Sequence, residues 1–218
     1  MAEAVIHVDE YLDVLRNELY KIFDKIPIIG DVKEIINFLD DFFKSYNIVF
    51  EVMEDRGKNG IVKGRCKRDL KIIIFCTEDF NIYFENKYKF SRFLDQCIFV
   101  LSHELVHRGQ YIQVYKHLHI NKTNNGKDID INNVDIKHYS NVDEIMAYAN
   151  LIIEELRFNG YNNEEILKGI KNDEFGIENS EFLELYRINF KNNKKIIDRL
   201  YKNIYMYLKH PVKIKLKI

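Results

Sequence analysis

The 218 residues contain no tryptophan, only two prolines and only three cysteines. Cys66, Cys76 and Cys97 are odd in number and lack paired spacing, which argues against a disulfide framework and reads as reduced, cytosol-type thiols. No stretch approaches eighteen consecutive apolar residues, so no membrane span is expected. The first residues, Met1 to His7, have neither a basic region nor a long apolar run, so no secretion signal is expected and the chain is placed in a cytoplasm. Neither sign of charge dominates. With 33 Lys and Arg against 34 Asp and Glu, a net charge of −1 argues against a global affinity for nucleic acid or an anionic membrane, although local patches remain open. The missing tryptophan and scarce proline fit a bias toward Lys, Asn and Ile and carry no functional reading.

A hydrophobic content of 46% is enough for a sizeable core. Tyr11, Leu12, Leu15, Leu19, Ile22 and Phe23 recur at helical spacing and predict a helix from Asp9 to Lys25. A second helix follows from Val32 to about Tyr46, with Asp31 and Glu34 as its capping pair. The period then changes to two. Strands are expected at Ile48–Val52, Ile61–Lys67 and Leu70–Cys76, with a short edge segment at Ile82–Phe84. A polar stretch from His117 to Ser140 separates these from a helix over Asn141–Phe158, a short helix from Asn163, and helical structure from Ser180 to Leu208. Val212–Ile218 alternates lysine with apolar residues. It predicts a lysine-guarded edge strand, with a basic arm touching a polyanion as the second reading.

Between the strands and the polar stretch lies Phe93 to Gln110, which contains His-Glu-x-x-His at His103, Glu104 and His107. In a helix, residues four apart share a face, so both imidazoles can reach one metal ion while Glu104 stands beside them. Leu94, Cys97, Ile98, Leu101 and Leu105 form an apolar stripe, and Phe93, Phe99, Val100 and Val106 flank the histidines. A helix this apolar is a buried one, and buried polar groups need partners. Ser91 is its expected N-cap. Seven His and eighteen Glu make a chance match of this pattern a matter of roughly 2 %, which favours a metal site over satisfied core histidines.

Two histidines leave a catalytic zinc one protein ligand short. His117, His119, His138, Asp143, Glu144 and Cys97 are the candidates. On the helix from Asn141, the residues Asp143, Asn150, Glu154 and Arg157 make an expected solvated stripe, and Ile145, Ala149, Ile152 and Leu156 an expected core stripe. Glu144 lies on neither. It shares its face with Ala147, Tyr148 and Leu151, where the alanine lets another helix come close. Glu144 is therefore the favoured third ligand, with a capping box to Asn141, or His138 as ligand instead, as the alternatives.

His103-Glu104-Leu105-Val106-His107, followed by Glu144-Ile145-Met146-Ala147-Tyr148-Ala149, resembles the zincin metallopeptidases of the gluzincin type. It is especially similar to small zinc-peptidase-like proteins of tailed bacteriophages, in which His-Arg-x-Gln follows the first motif and Glu-Ile-x-Ala-Tyr-Ala marks the second helix. The resemblance covers about residues 45 to 160. It implies His103, His107 and Glu144 as ligands of one zinc ion and Glu104 as general base. It departs from the thermolysin pattern at Asp143 and Tyr148, and no histidine at position 113 provides the metzincin extension.

The expected fold class is accordingly α+β and zincin-like: a small, mainly antiparallel sheet packed on the His103 helix, with helical additions at both ends. Residues 1–46 would form an N-terminal helical pair, 47–160 the metal-binding core and 161–218 a C-terminal helical extension. The expected activity is zinc-dependent hydrolysis of a peptide bond, with Tyr148, His138 or Tyr139 as candidate donors to the reacting oxygen, packing being the favoured role of each. Expected partners are a protein or peptide substrate, with no membrane and with nucleic acid disfavoured. The alternative is a zincin-shaped phage structural or binding component with little turnover, for which the aromatic segment of Tyr186, Phe190, Tyr201, Tyr205 and Tyr207 could serve as a surface, although such a stripe is more often core.

Overall fold

The computed structural model describes residues 3–23, 32–53, 62–66, 72–77, 86–117 and 136–217. The element order is β1 (Glu3–His7), α1 (Val8–Phe23), α2 (Val32–Ser45), β2 (Ile48–Met53), β3 (Val62–Cys66), β4 (Ile72–Thr77), α3 (Lys87–His117), α4 (Ile136–Tyr139), α5 (Val142–Phe158), α6 (Asn163–Asn172), α7 (Glu181–Phe190), α8 (Lys194–Lys209) and β5 (Lys213–Lys217). The segment at Ile82–Phe84, the Asp31 cap and most of the polar stretch after His117 lie outside the described residues. No helix among the described residues is long and apolar enough to cross a membrane.

The expected fold class requires correction. The chain is mostly helical, not an α+β fold built on a sheet. Its strands are short and fall into two separate ladders, β1 with β5 and β2-β4-β3. Nor is the larger ladder all antiparallel, because β2 runs parallel to β4 and only β3 runs against it. β3 does lie across α3, but the element that α3 packs along most extensively is the helix α5. The reason is visible in the apolar pattern. Residues from Asn141 onward supply long helical stripes that bury each other, and the three strands are too short to cover a helix of 31 residues.

Two hydrophobic cores result. In the first, Leu12, Leu15 and Leu19 of α1, Leu39 and Phe43 of α2 and Ile48 of β2 pack on the stripe of α3 that runs from Phe90 through Leu94, Ile98 and Leu101 to Leu105. In the second, Ile145, Ala149, Ile152 and Leu156 of α5 pack on Ile166 of α6, Leu183 and Tyr186 of α7 and Leu200 and Ile204 of α8. Tyr186 and Phe190 are thus core residues, and of the aromatic segment Tyr205 is the exposed one. The C-terminal lysine-rich strand forms as expected and pairs with β1, from Glu3 opposite Lys217 to His7 opposite Lys213. Helix α3 begins earlier than the Ser91 cap predicted. Asn86 accepts the Lys89 amide through its side chain at 2.9 Å and so caps the helix, while Ser91 lies inside it.

The expected solvated stripe of α5 is also corrected at two positions, since Asn150 is 4% and Glu154 2% exposed. Their partners come from elements distant in sequence. Glu154 pairs with Arg16 of α1 at 3.3 Å and with Arg157 at 3.0 Å, and Arg157 reaches Asp9 at 3.0 Å. Asn150 donates to the Ser102 carbonyl of α3 at 3.4 Å. Helix α5 ends where Gly160, at φ 89°, turns the chain, a conformation that glycine adopts without a side-chain clash.

A buried carboxyl joins α5 to α7. Ser180, the N-cap of α7, accepts the Leu183 amide at 3.1 Å and donates its hydroxyl to Glu155 at 2.5 Å. Burial pushes the Glu155 carboxyl up from 4.5 to about 7, against the bonds from Ser180 and the Phe182 amide. The folded state therefore holds this proton more tightly than the unfolded chain. Its contribution is complete below about pH 4.5 and is lost as pH rises through about 7, a loss of roughly 3 kcal/mol. Urea unfolding from pH 4 to 8 should show this decline in the wild type, and Glu155→Gln should remove that part of it. An identical pH dependence in the variant would overturn the assignment.

Candidate metal centre

The two cores meet along α3 and α5, and the polar side chains of the His-Glu-x-x-His segment lie in that seam. His103 and Glu104 are buried and His107 is nearly so. One helical turn brings the two rings together, with Nε2 atoms 3.1 Å apart. Across the seam, Glu144 in the first turn of α5 places Oε2 3.3 Å from His103 Nε2 and 3.3 Å from His107 Nε2. Ala147 is fully buried one turn along, so α5 can approach closely enough for a glutamate to reach both rings. Asn141 caps α5 alone, accepting the Asp143 amide at 3.1 Å. Glu144 is therefore committed to the histidines and not to a capping box.

His103, His107 and Glu144 form a group whose ligand atoms lie within 4.8 Å of one another and which can hold a metal ion. Three tests of fit agree. First, zinc bonds of 2.0–2.1 Å in a tetrahedron place neighbouring ligand atoms about 3.3–3.4 Å apart, and the three separations here are 3.1, 3.3 and 3.3 Å. Second, Glu144 Oε2 is buried with three ring nitrogens 3.3 Å away, yet none of them meets it in hydrogen-bond geometry. A buried acceptor without a donor is costly, and a cation between the three atoms would satisfy it. Third, two imidazole nitrogens and a carboxylate oxygen suit a borderline divalent ion.

The electrostatics favour a cation as well. Burial disfavours charge on His107, but Glu144 and Glu104 beside it outweigh that and hold it up at about 9. Burial alone would raise Glu144, yet the two rings hold it well below the usual carboxylate range. Burial pushes the Glu104 carboxyl up, opposed by both histidines and by the backbone amide of Cys66, while Glu144 adds to the rise. Two buried carboxyls thus face one pair of rings.

Glu104 is held from the other side by β3. Gly64 lies so close to α3 that a Cβ there would stand 2.6 Å from Glu104 Cγ and 2.9 Å from its Oε1. The glycine lets the strand approach the helix, and the Cys66 amide can then bond the carboxylate. Sequence reasoning missed this contact, because only the fold joins residue 64 to residue 104.

Gln110 stood in the sequence only as the last residue of the His-Arg-x-Gln pattern, with no role assigned to it. Its Oε1 meets His107 Nδ1 at 2.8 Å, and its amide donates to the Asp143 carbonyl at the start of α5 at 3.1 Å. Gln110 fixes the His107 ring and braces it against the helix that carries Glu144, and such a partner on the far ring nitrogen orients an imidazole toward a metal ion. Its spacing of three from His107 was the available signal.

The remaining candidates fall into place as follows. His138 stands on α4, and its Nε2 is 3.3 Å from Glu144 Oε2, with a side chain 24% exposed. It touches the ligand carboxylate but is not within the three-residue metal group. Tyr139 next to it anchors the turn, stacking on Tyr148 at 4.9 Å and accepting the Tyr186 hydroxyl at its carbonyl at 3.1 Å. Tyr148 is buried, and its ring meets His103 edge to face at 4.5 Å, amid Tyr139, Phe182 and Tyr186. It forms the wall behind the His103 ring. Cys97 is in the first core, Asp143 is exposed, and His119 and the His117 side chain lie outside the described residues.

Comparison with known proteins brings no match: no family model fits the sequence, and neither a curated protein nor a solved structure matches it. The chemical reading therefore rests on the site itself.

Gln110→Ala should weaken metal binding by about 10- to 100-fold, measured by competition with a chromophoric chelator. Unchanged affinity would remove Gln110 from the site. Gly64→Ala should lower unfolding stability by about 1–3 kcal/mol in urea, since the added methyl forces β3 away from Glu104.

Proposed function

We propose that this chain is a zinc-dependent metallopeptidase. The observation that carries the reading is the separation of roles among the carboxylates. Glu144 joins the two histidines, whereas Glu104, from the same motif, stays outside that group and is held beside it by the Cys66 amide. A zinc ion in the site would supply Lewis acidity for a carbonyl and activation of a water molecule.

The chain's own residues would do the rest. Glu104 takes the proton of the attacking water and passes it to the departing amine. Tyr148 and Gln110 keep the two imidazoles oriented. His138, partly exposed beside Glu144, would donate to a substrate oxygen. Among the described residues β3 is an edge strand, so an extended peptide would add to it beside Glu104, with main-chain bonds fixing its register. The resemblance to phage-encoded zinc-peptidase-like proteins supports the same reaction class.

Glu104→Gln should abolish cleavage of an unstructured protein such as casein while zinc stays near one per chain by elemental analysis. Glu144→Ala should lose the zinc. Cleavage retained in Glu104→Gln would sink the peptidase reading. Zinc binding with no cleavage by the wild type would favour the non-catalytic, zincin-shaped binding component instead.

A further inference from the structure

The C-terminal segment carries a charge imbalance that the total conceals. Residues 191–218 contain nine Lys and Arg and a single acid, Asp198, so the first 190 residues are net acidic. The structure puts five of these nine cations on one face of α8. Ile196, Leu200, Asn203, Ile204 and Leu208 turn one face of α8 into the second core. Lys194, Lys195, Arg199, Lys202 and Lys209 all fall on the opposite, exposed arc. From Lys195 to Lys209 this face runs about 21 Å.

Two features separate it from an ordinary solvated face. None of these five cations enters an ion pair with the described residues, whereas Arg16, Arg157 and Arg187 all do. Asp198 is the one acid on this arc, so the face keeps a net positive charge, and its positive potential attracts a polyanion. In addition, Tyr205 and Met206 interrupt the cations at 56% and 43% exposed. An aromatic ring left open within a basic stripe has the chemistry of a stacking platform for a base.

We infer that the outer face of α8 binds single-stranded nucleic acid, its lysines and Arg199 following the phosphates and Tyr205 stacking on a base. An anionic membrane fits less well. The apolar face of α8 is used inside the protein, so the helix has no hydrophobic side to lay into a bilayer. Lysines, unlike arginine forks on base edges, predict little sequence preference. The inference stands on α8 alone and does not depend on the metal site.

The test is fluorescence anisotropy of the full chain with a labelled oligothymidine of about 20 nucleotides. Binding at about 50 mM salt should weaken with added salt, with log K falling against log salt at a slope of about −2 to −3.5 for three to five phosphate contacts. Lys195→Glu/Arg199→Glu/Lys202→Glu should bind at least about tenfold more weakly with a shallower slope, and Tyr205→Ala at least about fivefold more weakly. Should the triple reversal fail to fold, Arg199→Gln/Lys202→Gln should show the same direction of change. Circular dichroism and zinc content should be unchanged in the variants that fold. No binding of the oligonucleotide, binding that ignores these substitutions, or binding only to phosphatidylglycerol vesicles would overturn the inference.

Discussion

The close contact of α3 with α5 is the constraint on which the site depends. Each helix belongs to a different core: α3 closes the one built from α1, α2 and β2, and α5 the one built from α6, α7 and α8. Where they touch, the buried surface is polar, and polar groups in a protein interior are tolerated only when they satisfy one another. His103, His107, Glu144 and Gln110 do so partly, through contacts of 2.8 to 3.3 Å. One carboxylate oxygen is left without a donor, at the point that all three ligand atoms face.

A cation at that point would bind the two cores as well as carry chemistry. Its ligands come from α3 and α5, and His138 adds a neighbour from α4. Metal binding at such a junction contributes directly to the free energy of the folded state, because the unfolded chain has no preformed site. The seam is reinforced away from the histidines by Asn150 on the Ser102 carbonyl, by Phe99 against Phe158 and by the ion pairs of Glu154 and Arg157 with α1. These contacts limit how far the ligands can drift apart. Glu104 depends on a further approach, that of β3, which is possible because residue 64 has no side chain.

The distribution of charge follows the same division. The acidic side chains that matter are buried at the seam, where they meet imidazoles and guanidinium groups. Five of the C-terminal cations are instead exposed on α8, where Asp198 is the one acid and none of the five forms an ion pair among the described residues. A net charge of −1 is thus the sum of two unlike regions and describes neither.

Local pattern by itself determined most of the helices, the His103 helix with its motif, the strand character of three short segments and the lysine-rich edge at the C-terminus. Spacing on α5 also singled out Glu144, because a carboxylate on an alanine-bearing face has few other uses. These readings need only a period and a neighbour within one turn. Tertiary structure alone decided the rest. It made the protein mainly helical, because which stripes cover one another is a property of the assembled layers and not of any one stripe. It buried Asn150 and Glu154, whose partners are 48 and 138 positions away. It set β2 parallel to β4, moved the cap of α3 to Asn86 and brought Gly64 against Glu104. Each of these depends on contacts between residues far apart in the chain, and sequence periodicity carries no record of them.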